Sequence, residues 1–184
     1  MNNKDLLLFR SLKKIILPFG DILNIYFTYK KVKKGCFIDI DEDNSKKFEN
    51  ILKKYNFNYN IYKEKFKKNN NLYFISKTID PKNIDFFESS SIKNKLNDIK
   101  LGKFLGYGCI HNLTKDLPCK NGYLLSIVYN DNDNNETIYG FCCNHIMISV
   151  INKTLKIIEK MNYYIKKYLF TKLKGYVKLE IIKL

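Results

Sequence analysis

CFIDIDEDNSKKFENILKKY, residues 36–55, carries two periodicities in succession. From Cys36 to Asp41 the side chains alternate, with Cys36, Ile38 and Ile40 on one face and Phe37, Asp39 and Asp41 on the other, which is the period of a β-strand. From there Phe48, Ile51, Leu52 and Tyr55 recur at helical spacing. Asn44 or Ser45 supplies an N-cap, and Asp41, Glu42 and Asp43 sit where a helix dipole favours negative charge. A strand that passes at once into a helix sets the expectation of a mixed architecture.

Working outward, Lys4 to Leu17 reads as a short amphipathic helix with Leu8, Leu12 and Ile15 or Ile16 on its apolar face, stopped by Pro18 and Gly20. Ile22 to Tyr29 is rich in β-branched and aromatic residues and predicts a strand. Lys30, Lys31, Lys33 and Lys34 then mark a solvated turn up to Gly35. Beyond the helix, Phe57 to Tyr62 and Leu72 to Ser76 predict two strands joined by a lysine and asparagine turn from Lys65 to Asn71, giving a β-β-α-β-β run. Asp80-Pro81 is a helix-start signature for a short helix to Phe87. Ser91 starts another, ending near Leu105 before Gly106 and Gly108.

Further on, Tyr123 to Tyr129 and Thr137 to Cys143 form a hairpin about the polar turn from Asn130 to Glu136. Ser149 to Phe170 predicts a long helix with Ile151, Leu155, Ile158, Asn162, Ile165 and Leu169 on one face, apolar except for Asn162. Tyr176 to Ile182 closes the chain as a last strand. The expectation is one α+β domain over residues 1–184, an antiparallel or mixed sheet of about six strands covered by two to three helices.

The stretch LGKFLGYGC, residues 101–109, resembles a helix-ending motif of uncharacterised small proteins from large DNA viruses. Those proteins more often carry Pro where Gly108 stands. The resemblance rests on Leu, Gly, Tyr and Cys, and it implies a viral origin and no activity.

The chain of 184 residues carries a net charge of +15. That charge would ordinarily point to nucleic acid or an anionic membrane surface as partner, and it is weighed against a solvated lysine-rich surface shaped by codon bias. Its 33 basic residues include a single arginine, Arg10, and there is no Ala, Gln or Trp, a usage that follows from an AT-rich genome. With one planar guanidinium, bidentate reading of base edges is nearly absent, whereas lysines can still hold phosphates as point charges. Its 14 Tyr and 13 Phe, interleaved with lysine, offer rings for stacking on single-stranded bases, but no RNP-type aromatic run is present. Most of these rings should fill the core.

No stretch reaches the roughly 18 apolar residues of a membrane span. Leu6, Leu7, Leu8 and Phe9 are followed by Arg10, Lys13 and Lys14, which makes a poor signal peptide. Five cysteines, an odd number, fit free thiols in a reducing intracellular compartment, the host cytoplasm or a virion if the resemblance holds.

Three constellations have the residue types for chemistry, each set against a structural reading of the same residues. Cys109, His111, Cys119, Cys143 and His145 include the thiolate and imidazole donors that zinc takes, although without a Cys-x-x-Cys pair. Cys109 or Cys119 with His111 or His145 supplies the residue types of a thiol nucleophile and its base. Asp39 and Asp41 share a strand face, as carboxylates do around a divalent ion. The leading expectation is a non-enzymatic accessory protein with no resident cofactor. It binds nucleic acid or a protein partner through Lys30, Lys31, Lys33, Lys34 and Tyr107. The alternative is a cysteine- or metal-dependent enzyme built on Cys109, His111 and His145.

Overall fold

The computed structural model describes residues 3–63, 69–81, 123–130, 135–143, 148–164 and 176–183. The chain is α+β, and it divides into two compact units, Lys4–Gly106 and Tyr107–Leu184 with Met1–Asn3. Six described strands are shared between two antiparallel sheets of three, because alternation marks a strand without saying which strand lies beside it. No helix among the described residues is long and apolar enough to cross a membrane.

The first unit runs α1 (Asn3–Lys13), α2 (Phe19–Tyr29), β1 (Gly35–Asp41), α3 (Glu42–Lys54), β2 (Asn58–Lys63) and β3 (Asn70–Ser76). Its sheet has the order β1-β3-β2, with Cys36 opposite Ile75, Ile38 opposite Tyr73 and Ile40 opposite Asn71. Cys36, Ile38 and Ile40 are buried as their alternation requires. Phe48 of α3 meets Tyr73 edge-on with ring centroids 5.0 Å apart, so the α3 stripe covers this face of the sheet. Phe48 and Leu52 are fully buried, each burial stabilising the fold by about 1.5–3 kcal/mol.

Residues 22–29 are helical, which corrects the expectation of a strand there. Ile22, Leu23, Ile25, Tyr26, Phe27 and Thr28 are all buried. A helix enclosed on nearly every side shows no amphipathic stripe, and its β-branched and aromatic content then mimics that of a strand. Pro18 also acts differently from expectation: it occupies the N-cap of α2, and its carbonyl accepts the Asp21 and Ile22 N–H groups at 3.1 and 3.2 Å. The order is therefore α-α-β-α-β-β.

The N-cap of α3 is Asp41, three residues before Asn44. Its carboxylate accepts the Asn44 backbone N–H at 2.8 Å and the Asn44 side-chain amide at 2.9 Å. Helices α2 and α3 end alike. Lys31 (φ 58°) and Asn56 (φ 53°) take left-handed conformations. Beyond them, Val32 N–H returns to Phe27 O at 3.0 Å and Phe57 N–H to Leu52 O at 2.9 Å, the closing bond of a Schellman motif.

The second unit contains β4 (Tyr123–Asn130), β5 (Asn135–Cys143), α4 (Ile148–Tyr164) and β6 (Tyr176–Lys183). Its sheet has the order β5-β4-β6. The hairpin pairs as far as Asn130 with Asn135, so its strands run further into the polar turn than expected. Ile127 faces Tyr139 while Val128 faces Thr137, which leaves Ile138 as the extra residue of a bulge. On α4 the buried positions are Thr154, Ile158 and Met161, and Leu155 is 40 % exposed, so the covering stripe is rotated from the one expected. Asn162 explains its place on that helix. Its side-chain amide donates to Val177 O at 2.7 Å and accepts from Val177 N–H at 2.8 Å, pairing with the edge strand β6 as a neighbouring strand would.

Candidate functional site

Helix α1 ends in a tightening turn, with Lys14 N–H on Ser11 O at 3.2 Å and Ile15 N–H on Leu12 O at 3.0 Å. That turn separates two neighbouring isoleucines completely: Ile15 is 2 % exposed and Ile16 91 %. Beside it, Lys47, Asn50, Ile51 and Lys54 recur at helical spacing along α3, on the flank of the helix next to its buried stripe. Ser11, Lys14 and Ile15 from one side and these four residues from the other line an open groove of about 310 Å³. Its floor is apolar, its rim carries three ammonium groups, and no carboxylate stands among its described lining residues. Lys14, Lys47 and Lys54 are exposed. None of the described lining residues is an acid that would neutralise these lysines within the groove.

The lysines from 30 to 34 do not form such a surface. Lys30 is drawn back to the buried Asp5 of α1 at 3.2 Å. Lys33 is buried and donates to Asn24 Oδ1 at 2.6 Å. Burial lowers the pKa of Lys33, opposed by the nearby Cys36 and Asp21. Only Lys31 and Lys34 of the four are exposed, so the expected solvated turn is half an internal one. The reason is the Schellman turn, which directs successive side chains to different sides of the chain. Tyr107 lies outside the described residues.

Lys77 is a further cation, one that no sequence pattern marks. Its ammonium donates to Tyr55 O and Asn56 O, both at 2.7 Å, and lies 5.3 Å from the Phe57 ring and 5.7 Å from the Tyr29 ring. Burial first, and then the charge of Lys31, lowers its pKa. It closes the end of α3 and is a structural residue.

Asp41, Glu49 and Cys36 are each engaged within the fold. Asp41 serves as a helix cap, and its hydrogen bonds from Asn44 hold its carboxyl below the usual carboxylate range. Glu49 accepts from Tyr59 Oη at 3.2 Å and Tyr73 Oη at 3.3 Å and pairs with Lys53 at 3.7 Å. Cys36 is fully buried, and burial pushes its thiol up to about 11, so it stays protonated. Among the described residues no group of three or more His, Cys, Asp or Glu is placed to hold a metal ion. Cys109, His111, Cys119 and His145 lie outside the described residues, as does the Cys143 side chain at the end of β5.

A second depression, of about 410 Å³, follows the edge strand β2 and is lined by Phe57, Asn58, Tyr59, Asn60, Ile61 and Asp80. Its polar groups are amides, a phenol and one carboxylate. The Ile61 N–H is taken by Asn60 Oδ1 at 3.0 Å, which closes that donor to a docking strand.

No protein-family model, no curated protein and no solved structure matches this chain. The groove between α1 and α3 is therefore read from its own chemistry.

Proposed function

We propose that this protein is a non-enzymatic accessory protein that binds nucleic acid by its phosphate backbone, using the groove between α1 and α3. The observation that carries the reading is that Lys14, Lys47 and Lys54 converge on one open groove with no described carboxylate on its rim. The net charge of +15 supports it by raising the local concentration of polyanions. A lysine-only rim positions phosphates and does not read sequence, which agrees with a chain that has one arginine. The reading is made for duplex, whose phosphate backbone a lysine rim can hold without base stacking.

The test is duplex binding followed by fluorescence anisotropy across a salt series. The wild-type affinity should fall linearly with salt on logarithmic axes. Replacing Lys14, Lys47 and Lys54 by Gln should reduce that slope by about 2.7, at about 0.9 for each phosphate no longer neutralised. A triple variant that keeps the wild-type slope would refute the groove as the site. Flat, weak binding by the wild type would refute nucleic acid as the partner. A thiol or zinc enzyme built on Cys109, His111 and His145 lies outside the described residues.

A further inference from the structure

From the exposure of Ile16 we infer that the bound duplex is also bent, with Ile16 inserted as an apolar wedge between two base pairs. This inference rests on the nucleic-acid reading and adds to it a mode of binding and a preferred type of step. Ile16 is 91 % exposed, whereas the other exposed large hydrophobic residues described range from 40 to 57 %. An isolated apolar residue on a surface is ordinary, but this one is almost wholly solvent-exposed and is held in place. On one side Ile15 is anchored in the core at 2 % exposure. On the other, Leu17 N–H closes onto Ile15 O at 2.9 Å, and Pro18 fixes the start of α2. A braced turn leaves little backbone ordering to be done on binding, and a β-branched side chain has few rotamers to lose.

Its surroundings suit a nucleic acid. Lys13 and Lys14 are exposed just before it, and Lys14 is itself a wall of the groove that Lys47 and Lys54 complete. Phosphates held along that rim would bring the base stack to the adjoining turn. Side chains such as Ile wedged into a base step kink the duplex, and the phosphate contacts around the wedge hold the bend. An anionic membrane is the rival partner, since it too would attract lysines and accept an isoleucine. Interfacial binding needs a broad apolar face, however: Leu17 and Phe19 are each partly withdrawn into the fold and Leu7 of α1 is 46 % exposed, so Ile16 is the one large apolar side chain there that projects fully.

A duplex labelled at both ends reports bending through energy transfer, and its central step can be TA, which unstacks easily, or part of a stiff A-tract. Wild-type protein should shorten the end-to-end distance and bind the TA duplex more tightly than the A-tract. Ile16→Ala should abolish the shortening, weaken TA binding about tenfold and erase the preference, while keeping the salt slope. Ile16→Leu should restore all three, which separates a wedge from a fold defect. Duplex bound with the expected slope but left straight by wild type overturns the wedge alone. Absence of salt-dependent duplex binding overturns the wedge together with the proposed function. Capture by phosphatidylserine-containing phosphatidylcholine vesicles that is lost in Ile16→Ala, with no bending of duplex by the wild type, assigns the tip to a membrane and also overturns it.

Discussion

Lys30, Lys31, Lys33 and Lys34 are neighbours in the sequence, whereas Lys14 lies in the turn after α1 and Lys47 and Lys54 on α3, yet it is the second set that shares a groove. The first set belongs to a helix C-terminus whose Schellman turn sends Lys30 to Asp5 and Lys33 to Asn24. The second set is brought together where the end of α1 and the turn after it stand across one groove from α3. Clustering in sequence and clustering in space are thus independent here. A cation near other cations in the chain is as free to be a structural residue as a binding one.

The sharpest way to break this contrast is charge reversal at two lysines of the same turn. Lys33→Glu places a carboxylate in a buried site beside Asn24 and Asp21, and it should cost about 3–5 kcal/mol in chemical denaturation. Lys31→Glu on the exposed side of the same turn should stay within about 0.5 kcal/mol. Equal effects would mean that the segment is one solvated surface after all.

Next in size is the alkaline response of Cys36, which lies behind the same turn. Its thiol is raised from 9.0 to about 11, so the folded state binds a proton that the unfolded state releases in that window. The stability this contributes is complete below about pH 9 and is lost as pH rises towards 11, a change of about 2 kcal/mol. Lys33 acts in the opposite sense. Its lowered pKa means that its contribution is present above its unfolded value and is lost as pH falls through the folded one. Cys36→Ala should therefore lose stability less steeply than wild type between pH 9 and 11. An identical slope in the two proteins would show that the thiol is not buried beside Lys33.

Binding separates the two lysine sets with a smaller free-energy change. Gln at Lys14, Lys47 and Lys54 should weaken duplex binding about tenfold or more at moderate salt, and Gln at Lys31 and Lys34 by less than about threefold. The reverse order would move the interface to the α2–β1 turn. The smallest effect concerns the backbone: Lys31→Gly relieves a left-handed φ of 58° and should stabilise the fold by about 0.5–1 kcal/mol. A loss of stability would show that the Lys31 side chain contributes more than its backbone costs.

Much of the fold is legible in the sequence. The strand from Cys36 and the stripe of α3 follow from alternation and helical spacing, and the hairpin and the last strand lie within a few residues of where their patterns put them. The departures have physical causes. Residues 22–29 show no helical signature because the helix is enclosed on nearly every side. The cap of α3 falls on Asp41 because a strand-end carboxylate reaches the Asn44 N–H directly. Asn162 is visible as the polar exception on a helix face, but its role as a surrogate strand partner needs β6 beside it. The groove is not legible at all, since periodicity states which residues share a face of one helix and never which helix comes next to it.

The sequence by itself determined the α+β class, the positive charge and the local period of most elements, because these depend on the backbone repeat and on composition. Tertiary structure alone decided that residues 22–29 coil into a helix, that Lys30 and Lys33 turn inward, and that Ile15 is buried while Ile16 faces solvent. It also decided that Lys14, Lys47 and Lys54 meet. Each of these depends on which distant surface supplies the buried contact or the opposite charge, and such partners are chosen by packing, not by local spacing.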